Sequence, residues 1–187
     1  MTSTPPPKRR NAAQTKAKIL AAAQKAFSEL GYTRAGIRDI AAIADVSSTL
    51  LLRYYGSKAG LFEAALTDAM RMDELLQSGK AGFGEQLAAI FLDATIEFTV
   101  PSMIALSTND PEAREITTRV TESQIIKPFM KWLGAPDARA RALEIMLLST
   151  GFVLYTRQLP GLFATRGIDR KLGKRFAKSI QTIVDQT

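Results

Sequence analysis

Residues 37–58 read IRDIAAIADVSSTLLLRYYGSK, and this stretch decides the fold. Apolar residues in its first half recur at the spacing of one helical face: Ile37, Ile40, Ala41 and Ala44. Asp45 tolerates the left-handed backbone of a tight turn. Ser47 can cap a second helix, which Gly56 would end. The pattern predicts two short helices joined by a turn, a helix-turn-helix whose second helix can enter the major groove of DNA.

The basic residues of the chain are concentrated around this stretch. Residues 1–58 contain ten basic and three acidic side chains, whereas residues 59–187 contain fifteen of each. The whole net charge of +7 therefore belongs to the N-terminal third. Such asymmetry is typical of a polyanion-binding module joined to a neutral partner domain. It favours DNA binding over the plainer interpretation, an ordinary solvated surface.

The chain has neither cysteine nor histidine. Disulfides, thiolate or imidazole metal sites and histidine-dependent catalytic triads are thereby excluded. The carboxylate pairs Asp73–Glu74 and Glu112/Glu115 are interpreted as solvated charges rather than as a catalytic pair. We therefore expect a protein that is not an enzyme and holds no metal and no cofactor. The basic, proline-rich N-terminus lacks the apolar run of a signal peptide, which favours a cytoplasmic location.

Together with the helix before it, this stretch resembles the DNA-binding domain of the TetR (tetracycline-repressor-like) family of transcriptional regulators. The resemblance covers residues 16–66 and depends on the joint spacing of Phe27, Gly31-Tyr32, Ile37-Arg38-Asp39-Ile40-Ala41, Val46-Ser47 and Tyr54-Tyr55-Gly56-Ser57-Lys58. It implies an all-α fold, in which an N-terminal three-helix helix-turn-helix domain precedes a C-terminal helical bundle for ligand binding and dimerisation. Two positions depart from the family pattern: Asp45 replaces a common glycine, and Leu52 replaces a phosphate-binding tyrosine.

Composition and periodicity predict three segments. Residues 1–11 form a disordered basic arm, residues 12–57 the helix-turn-helix domain, and residues 58–187 the helical domain for effector binding and dimerisation. The first helix should run over residues 12–30 and end at Gly31 as a left-handed cap. Later helices are predicted over residues 57–77, 85–99, 102–108, 111–132, 137–159 and 169–185, with a kink at Pro128.

Helical spacing predicts which residues of the helix-turn-helix face DNA. Leu51 should face the core with Tyr55 beneath it, which leaves the serine and threonine hydroxyls for base edges and Leu50 for a thymine methyl. The family resemblance implies that Tyr54 and Lys58 contact the DNA backbone. The complete predicted set is Arg38, Ser47, Ser48, Thr49, Leu50, Arg53, Tyr54 and Lys58.

The last two predicted helices favour a homodimer. The helix at 137–159 is apolar on nearly every side, so one face needs a partner beyond its own domain. With the stripe of the final helix it predicts a two-fold interface formed by Ile145, Leu148, Phe152, Leu172, Phe176, Ile180 and Ile183. The alternative is that these residues are ordinary core. A dimer would hold two reading helices roughly 34 Å apart, which suits a palindromic double-stranded DNA operator.

Large apolar and amphipathic side chains also predict an effector cavity, although plain core is the alternative for each of them. The set is Phe91, Thr95, Met103, Phe129, Trp132, Phe152 and Tyr155, and it favours a small apolar effector. The sequence thus predicts a ligand-responsive regulator, most simply a repressor released by its effector. Two other hypotheses stay open: a sequence-independent DNA-binding protein, and a small-molecule-binding protein that retains an inactive DNA-binding domain.

Overall fold

The computed structural model describes residues 8–163 and 168–186, and all regular structure within these ranges is helical. This agrees with the all-α prediction. The helices are α1 Lys8–Arg34, α2 Ile37–Ile43, α3 Ser48–Tyr55, α4 Lys58–Ala69, α5 Asp73–Gln77, α6 Phe83–Leu92, α7 Val100–Ser107, α8 Pro111–Thr121, α9 Lys127–Leu133, α10 Ala138–Gln158 and α11 Ile168–Val184. A π-helical turn, Glu122–Ile126, joins α8 to α9, and a 3-10 turn, Pro160–Phe163, follows α10. Within the described ranges, no helix combines the length and apolar character needed to cross a membrane.

The chain forms two compact units. The N-terminal unit contains residues up to Ala69 together with Ser102–Thr117, and the C-terminal unit contains Met70–Pro101 and the residues from Thr118 onward. The N-terminal unit therefore extends past the predicted boundary at residue 57. The physical reason is that α4 buries one apolar face completely, through Leu61, Phe62, Ala65 and Leu66.

An aromatic cluster forms the centre of the N-terminal unit. The rings of Phe27 on α1 and Phe62 on α4 meet edge to face, with centroids 4.9 Å apart. Tyr32 packs against the same Phe62 ring at 5.0 Å. Ile40 of α2 and Leu51 of α3 are fully buried in this unit. Burial of these large side chains stabilises the helix-turn-helix on α1 and α4.

A kink at Gly31 divides α1. Its φ of 73° is positive, but its ψ of 171° is not that of the predicted left-handed cap, and the helix resumes and continues to Arg34. A Cβ at this position would lie 2.5 Å from the carbonyl oxygen of Leu106, so the α7 backbone requires a glycine here. The next backbone N–H, that of Tyr32, donates to Ser107 Oγ at 3.0 Å. The kink is therefore the point where α7 attaches to α1.

The core of the C-terminal unit is formed by α6, α9, α10 and α11. Phe83, Phe129, Ile145 and Ile180 are among its buried side chains. Gly84 lets α6 approach α11 closely, since a Cβ there would lie 2.1 Å from the carbonyl oxygen of Ala177. α6, α10 and α11 therefore share one core, in which the backbones of α6 and α11 approach closely at Gly84.

Several predicted boundaries were wrong, each for a local reason. Residues 8–11, which were predicted to belong to the disordered arm, are helical, because α1 begins at Lys8. Residues 1–7 of the predicted arm lie outside the described ranges. The helix predicted over 57–77 is two helices, α4 and α5. The helix predicted over 85–99 ends at Leu92, where Thr95 donates to the Asp93 carboxylate and turns the chain. The π turn comes just before Pro128, whose missing N–H removes a helical hydrogen bond.

Candidate nucleic-acid interface

The helix-turn-helix is formed by α2 and α3, and local signals in the sequence set its geometry. Asp45 has the positive φ of 55° that the tight turn was predicted to need. Ser47 caps α3, since its Oγ accepts the backbone N–H of Leu50 at 3.1 Å. Gly56, with a φ of 74°, ends the helix as predicted. The turn and both ends of α3 follow the predicted arrangement.

The two faces of α3 differ in burial. Leu51 is completely buried, as predicted, and anchors the helix to the core. Thr49 and Arg53 are exposed, and Tyr54 is half-buried. The remaining residues predicted to contact DNA are also at least partly accessible: Arg38 and Ser47 are exposed, whereas Ser48, Leu50 and Lys58 are half-buried. All eight therefore have accessible surface in the N-terminal unit.

Lys16 on α1 places a cation beside α3, and the sequence analysis did not predict this position for it. Its Nζ lies 5.4 Å from the centre of the Tyr54 ring. Its carbonyl oxygen accepts a hydrogen bond from Tyr55 Oη at 3.4 Å. Burial is the main reason that the pKa of Tyr55 is raised above its ordinary value. Lys16 belongs to the N-terminal basic excess, but no local pattern could place it against α3.

Lys58 has partners within its own unit. Its Nζ donates to the carbonyl oxygen of Thr33 at 3.0 Å and lies 4.8 Å from the centre of the Tyr32 ring. Partial burial lowers the pKa of Lys58, while the charges of Asp110 and Glu112 oppose that shift. The Lys58 ammonium group thus has two partners within the N-terminal unit, the Thr33 carbonyl oxygen and the Tyr32 ring.

The structure does not bring the predicted effector residues into one cavity. Phe91 and Phe152 stack at 6.2 Å, whereas the rings of Phe129 and Trp132 meet that of Phe83, and all of them pack in the same C-terminal core. Met103 is completely buried in the N-terminal unit. Thr95 is exposed and donates to Asp93, and Tyr155 is 52% exposed. The prediction of a single pocket from these seven residues was therefore wrong, because composition does not specify which apolar groups meet.

The predicted dimer residues separate into two groups. Ile145, Phe176, Ile180 and Ile183 are buried in the core of their own unit, so the prediction that they form an interface was wrong. Leu148 is 39% exposed, and Phe152 and Leu172 are half-buried. These three line a groove of about 420 Å³ between α10 and α11, together with Leu147, Gly151, Tyr155, Thr156, Arg175, Phe176 and Ser179. Among the described residues, the exposed apolar surface of α10 is thus centred on Leu147 and Tyr155.

Two family models match most of the chain. The model for bacterial regulatory proteins of the tetR family matches residues 19–65. The model for the tetracyclin repressor-like C-terminal domain matches residues 81–184. A comparison with curated protein sequences finds no match.

Solved structures share the fold at low sequence identity. A TetR-family regulator from Streptomyces coelicolor is 22% identical, with coverage of 99% of this chain and 100% of that one and a TM-score of 0.57. NalD, the secondary repressor of the MexAB-OprM multidrug efflux pump in Pseudomonas aeruginosa, is 17% identical, with coverage of 90% and 95% and a TM-score of 0.64. GusR of Salmonella enterica is 17% identical, with coverage of 91% and 93% and a TM-score of 0.64.

Proposed function

Because this chain belongs to the TetR family of DNA-binding transcriptional regulators, we propose that it is a ligand-responsive repressor that binds a palindromic operator as a homodimer. The observation that carries the proposal is the difference in burial between the two sides of α3. Leu51 anchors one side in the core, while Thr49 and Arg53 are exposed on the other. A short helix held in this way, on the basic third of the chain, suits the major groove.

The side chains around α3 suggest a division of tasks at the operator. The guanidinium of Arg53 can donate two hydrogen bonds to the edge of a guanine, and the Thr49 methyl and hydroxyl can contact a thymine or an adenine. Ser47 and Tyr54 differ, since the Ser47 hydroxyl is already used as a cap and Tyr54 is packed beside Lys16. We assign Tyr54, Lys16 and Lys58 to phosphates, which position the helix but carry no sequence information.

The homodimer is supported by apolar surface that the described residues leave exposed on α10. Leu147 is 66% exposed and Tyr155 is 52% exposed, and both line the groove between α10 and α11. Contiguous apolar surface of this kind marks an interaction site. A second copy related by a two-fold axis would cover it with the same surface. Two reading helices would then engage successive major grooves roughly 34 Å apart.

An apolar effector is supported by a second feature of the C-terminal unit. Phe91, Phe98, Phe152 and Phe176 form one aromatic group, in which the Phe152 and Phe176 rings are 4.3 Å apart. An effector inserted there would separate these rings and displace α10 from α11. By linkage it releases the operator only if it binds the DNA-free form better, by about 1–3 kcal/mol. A repressor role agrees with that of NalD, a structural neighbour that is described as a repressor.

The experiment is a selection of bound sequences from a random duplex pool, followed by affinity measurements with purified variants. A palindromic sequence should be enriched, and Arg53→Ala should weaken binding to it by about 1–3 kcal/mol, because one base contact is lost. Lys178→Ala, a matched loss of an exposed cation on α11, should bind normally.

Three results would contradict parts of the proposal. Equal affinity of Arg53→Ala and wild type would remove the assignment of Arg53. Equal affinity for every duplex, with a steep salt dependence, would favour a sequence-independent DNA-binding protein. Failure to bind any duplex at low salt would favour a small-molecule-binding protein with an inactive DNA-binding domain.

A further inference from the structure

A connected group of polar residues joins α1, α4, α7 and α8 within the N-terminal unit. We call it the Tyr32 cluster, and it consists of Tyr32, Thr33, Lys58, Ser107 and Glu112. The helix-turn-helix pattern accounts for Lys58 alone. Neither Ser107 nor Glu112 belongs to α2 or α3, so the cluster needs its own explanation.

Tyr32 is held at both ends by hydrogen bonds. Its hydroxyl donates to the carboxylate of Glu112 on α8, and its backbone N–H donates to Ser107 Oγ at 3.0 Å. Burial, followed by the hydrogen bond to Glu112, raises the pKa of Tyr32 above its ordinary value. The ring also packs against Phe62 in the core of the N-terminal unit. Its orientation is therefore determined from several directions.

The fixed ring supports the Lys58 ammonium group. Nζ lies 4.8 Å from the ring centre, and one of its donors is used by the Thr33 carbonyl oxygen at 3.0 Å. An ammonium group has three donors, so two remain for an incoming group. The hydrogen bond that the phenol donates to the Glu112 carboxylate increases the electron density of the Tyr32 ring. The ring therefore attracts a cation more strongly. Lys58 is half-buried, so its ammonium group is restrained without being enclosed.

We propose that Tyr32 and Glu112 are positioning residues, which hold the Lys58 ammonium group ready for a DNA phosphate. A free lysine side chain loses rotamer freedom when it contacts a phosphate, and the cluster removes much of that loss before binding. This inference rests on the proposed binding of an operator duplex. It extends that proposal, because it makes two residues outside the helix-turn-helix determine the strength of a DNA contact.

The test is a double-mutant cycle on the full-length protein with the selected operator. Lys58→Met should lower the affinity about tenfold and make the salt dependence shallower by about one phosphate contact. Glu112→Gln and Tyr32→Phe should each lower the affinity roughly three- to tenfold through Lys58. Tyr32→Phe keeps the aromatic ring that packs against Phe62, so the core should stay packed. The thermal midpoint of each variant measures whether it is still folded.

The decisive measurement is the effect of Glu112→Gln in the Lys58→Met background. If Glu112 acts through Lys58, the second substitution should cause no further loss of affinity. Glu115→Gln, which removes a neighbouring carboxylate from α8, is the matched control and should leave operator affinity unchanged in both backgrounds.

The remaining outcomes overturn the inference in distinguishable ways. Equal losses in the wild-type and Lys58→Met backgrounds would mean that Glu112 acts independently of Lys58, which would overturn the positioning role. Tighter binding by Glu112→Gln would mean that the cluster withholds Lys58 from DNA. Normal binding by Lys58→Met would remove the inference and leave the proposed function intact, whereas failure of the wild type to select any operator would remove both.

Discussion

Arg141 offers the sharpest test of how the C-terminal unit is stabilised. It is only 2% exposed although it carries a charge. Its guanidinium donates to the carbonyl oxygens of Ile183 and Val184 at 2.9 and 2.8 Å, which lie at the end of α11. It also donates to Gly134 and Pro136 at 3.3 and 3.1 Å, in the turn before α10. One side chain therefore donates hydrogen bonds both to the carbonyl groups at the end of α11 and to those in the turn before α10.

The expected cost of Arg141→Met follows from these four acceptors. Each hydrogen bond to a charged group contributes about 1.5–3 kcal/mol, and a buried carbonyl left without a partner costs about 1–3 kcal/mol. Methionine recovers the desolvation penalty of the buried charge, which offsets part of that loss. The net decrease in the free energy of unfolding should then be about 3–5 kcal/mol, because four carbonyl acceptors lose their donor in one substitution. A positive charge at the C-terminal end of α11 also interacts favourably with the helix dipole.

Chemical denaturation followed by circular dichroism, at one protein concentration, measures this cost. Arg139→Met is the matched control, because Arg139 is two positions away on α10 and its side chain is 54% exposed beside Glu122. The control should unfold at the wild-type midpoint, since exposed ion pairs contribute little. If Arg141→Met lost no more stability than the control, the four hydrogen bonds could not be what holds α11 to the turn before α10.

Three further predictions concern the kink, the exposed α10 surface and the tyrosines. Gly31→Ala should lower the free energy of unfolding by about 1–3 kcal/mol from backbone strain alone, because alanine rarely adopts this positive φ. The clash of the new Cβ with the Leu106 carbonyl oxygen should add to that loss, and a denaturant titration measures the total. Leu147→Glu should yield a folded monomer in size-exclusion chromatography with light scattering, whereas Ile145→Glu should prevent folding because the new charge would be buried. The pKa values of Tyr32 and Tyr55 are raised, so their contribution to stability should be intact below the ordinary tyrosine pKa near 10 and fall as the pH rises above it. An ultraviolet absorbance titration of Tyr32→Phe and Tyr55→Phe against wild type should show that the ionisation lost in each variant lies above about pH 10.

The helix-turn-helix could be predicted because its signals are local. Asp45 at a positive φ, Ser47 as a cap and Gly56 at the end of α3 each act within a few residues of their position. Leu51 follows from helical spacing once those limits are known. Their partners are close in the chain, so one sequence contains enough information to place them.

The core and the free surface of α10 could not be separated in the same way. The helix is apolar nearly all round, and its periodicity does not show which side meets its own chain. Ile145 and Leu147 are two positions apart, yet the first is buried and the second is 66% exposed. Arg141 was equally unpredictable, since its acceptors Ile183 and Val184 lie more than forty positions away. Burial on α10 depends on where α6 and α11 pack, which is a property of the tertiary structure.

Lys58 shows what a motif can and cannot transfer between relatives. The motif assigns a lysine at this position to a phosphate, and it says nothing about how that lysine is restrained. In this chain the Lys58 ammonium group lies over the ring of Tyr32, whose hydroxyl donates to Glu112. Tyr32 and Glu112 are eighty residues apart and belong to helices outside the helix-turn-helix. A relative with the same lysine but no carboxylate at the position of Glu112 would pay more rotamer entropy for the same contact. On the proposal that the Tyr32 cluster positions Lys58, operator affinity should depend on a residue of α8 that a helix-turn-helix pattern does not contain; α8 also carries the chain from the N-terminal unit into the C-terminal one.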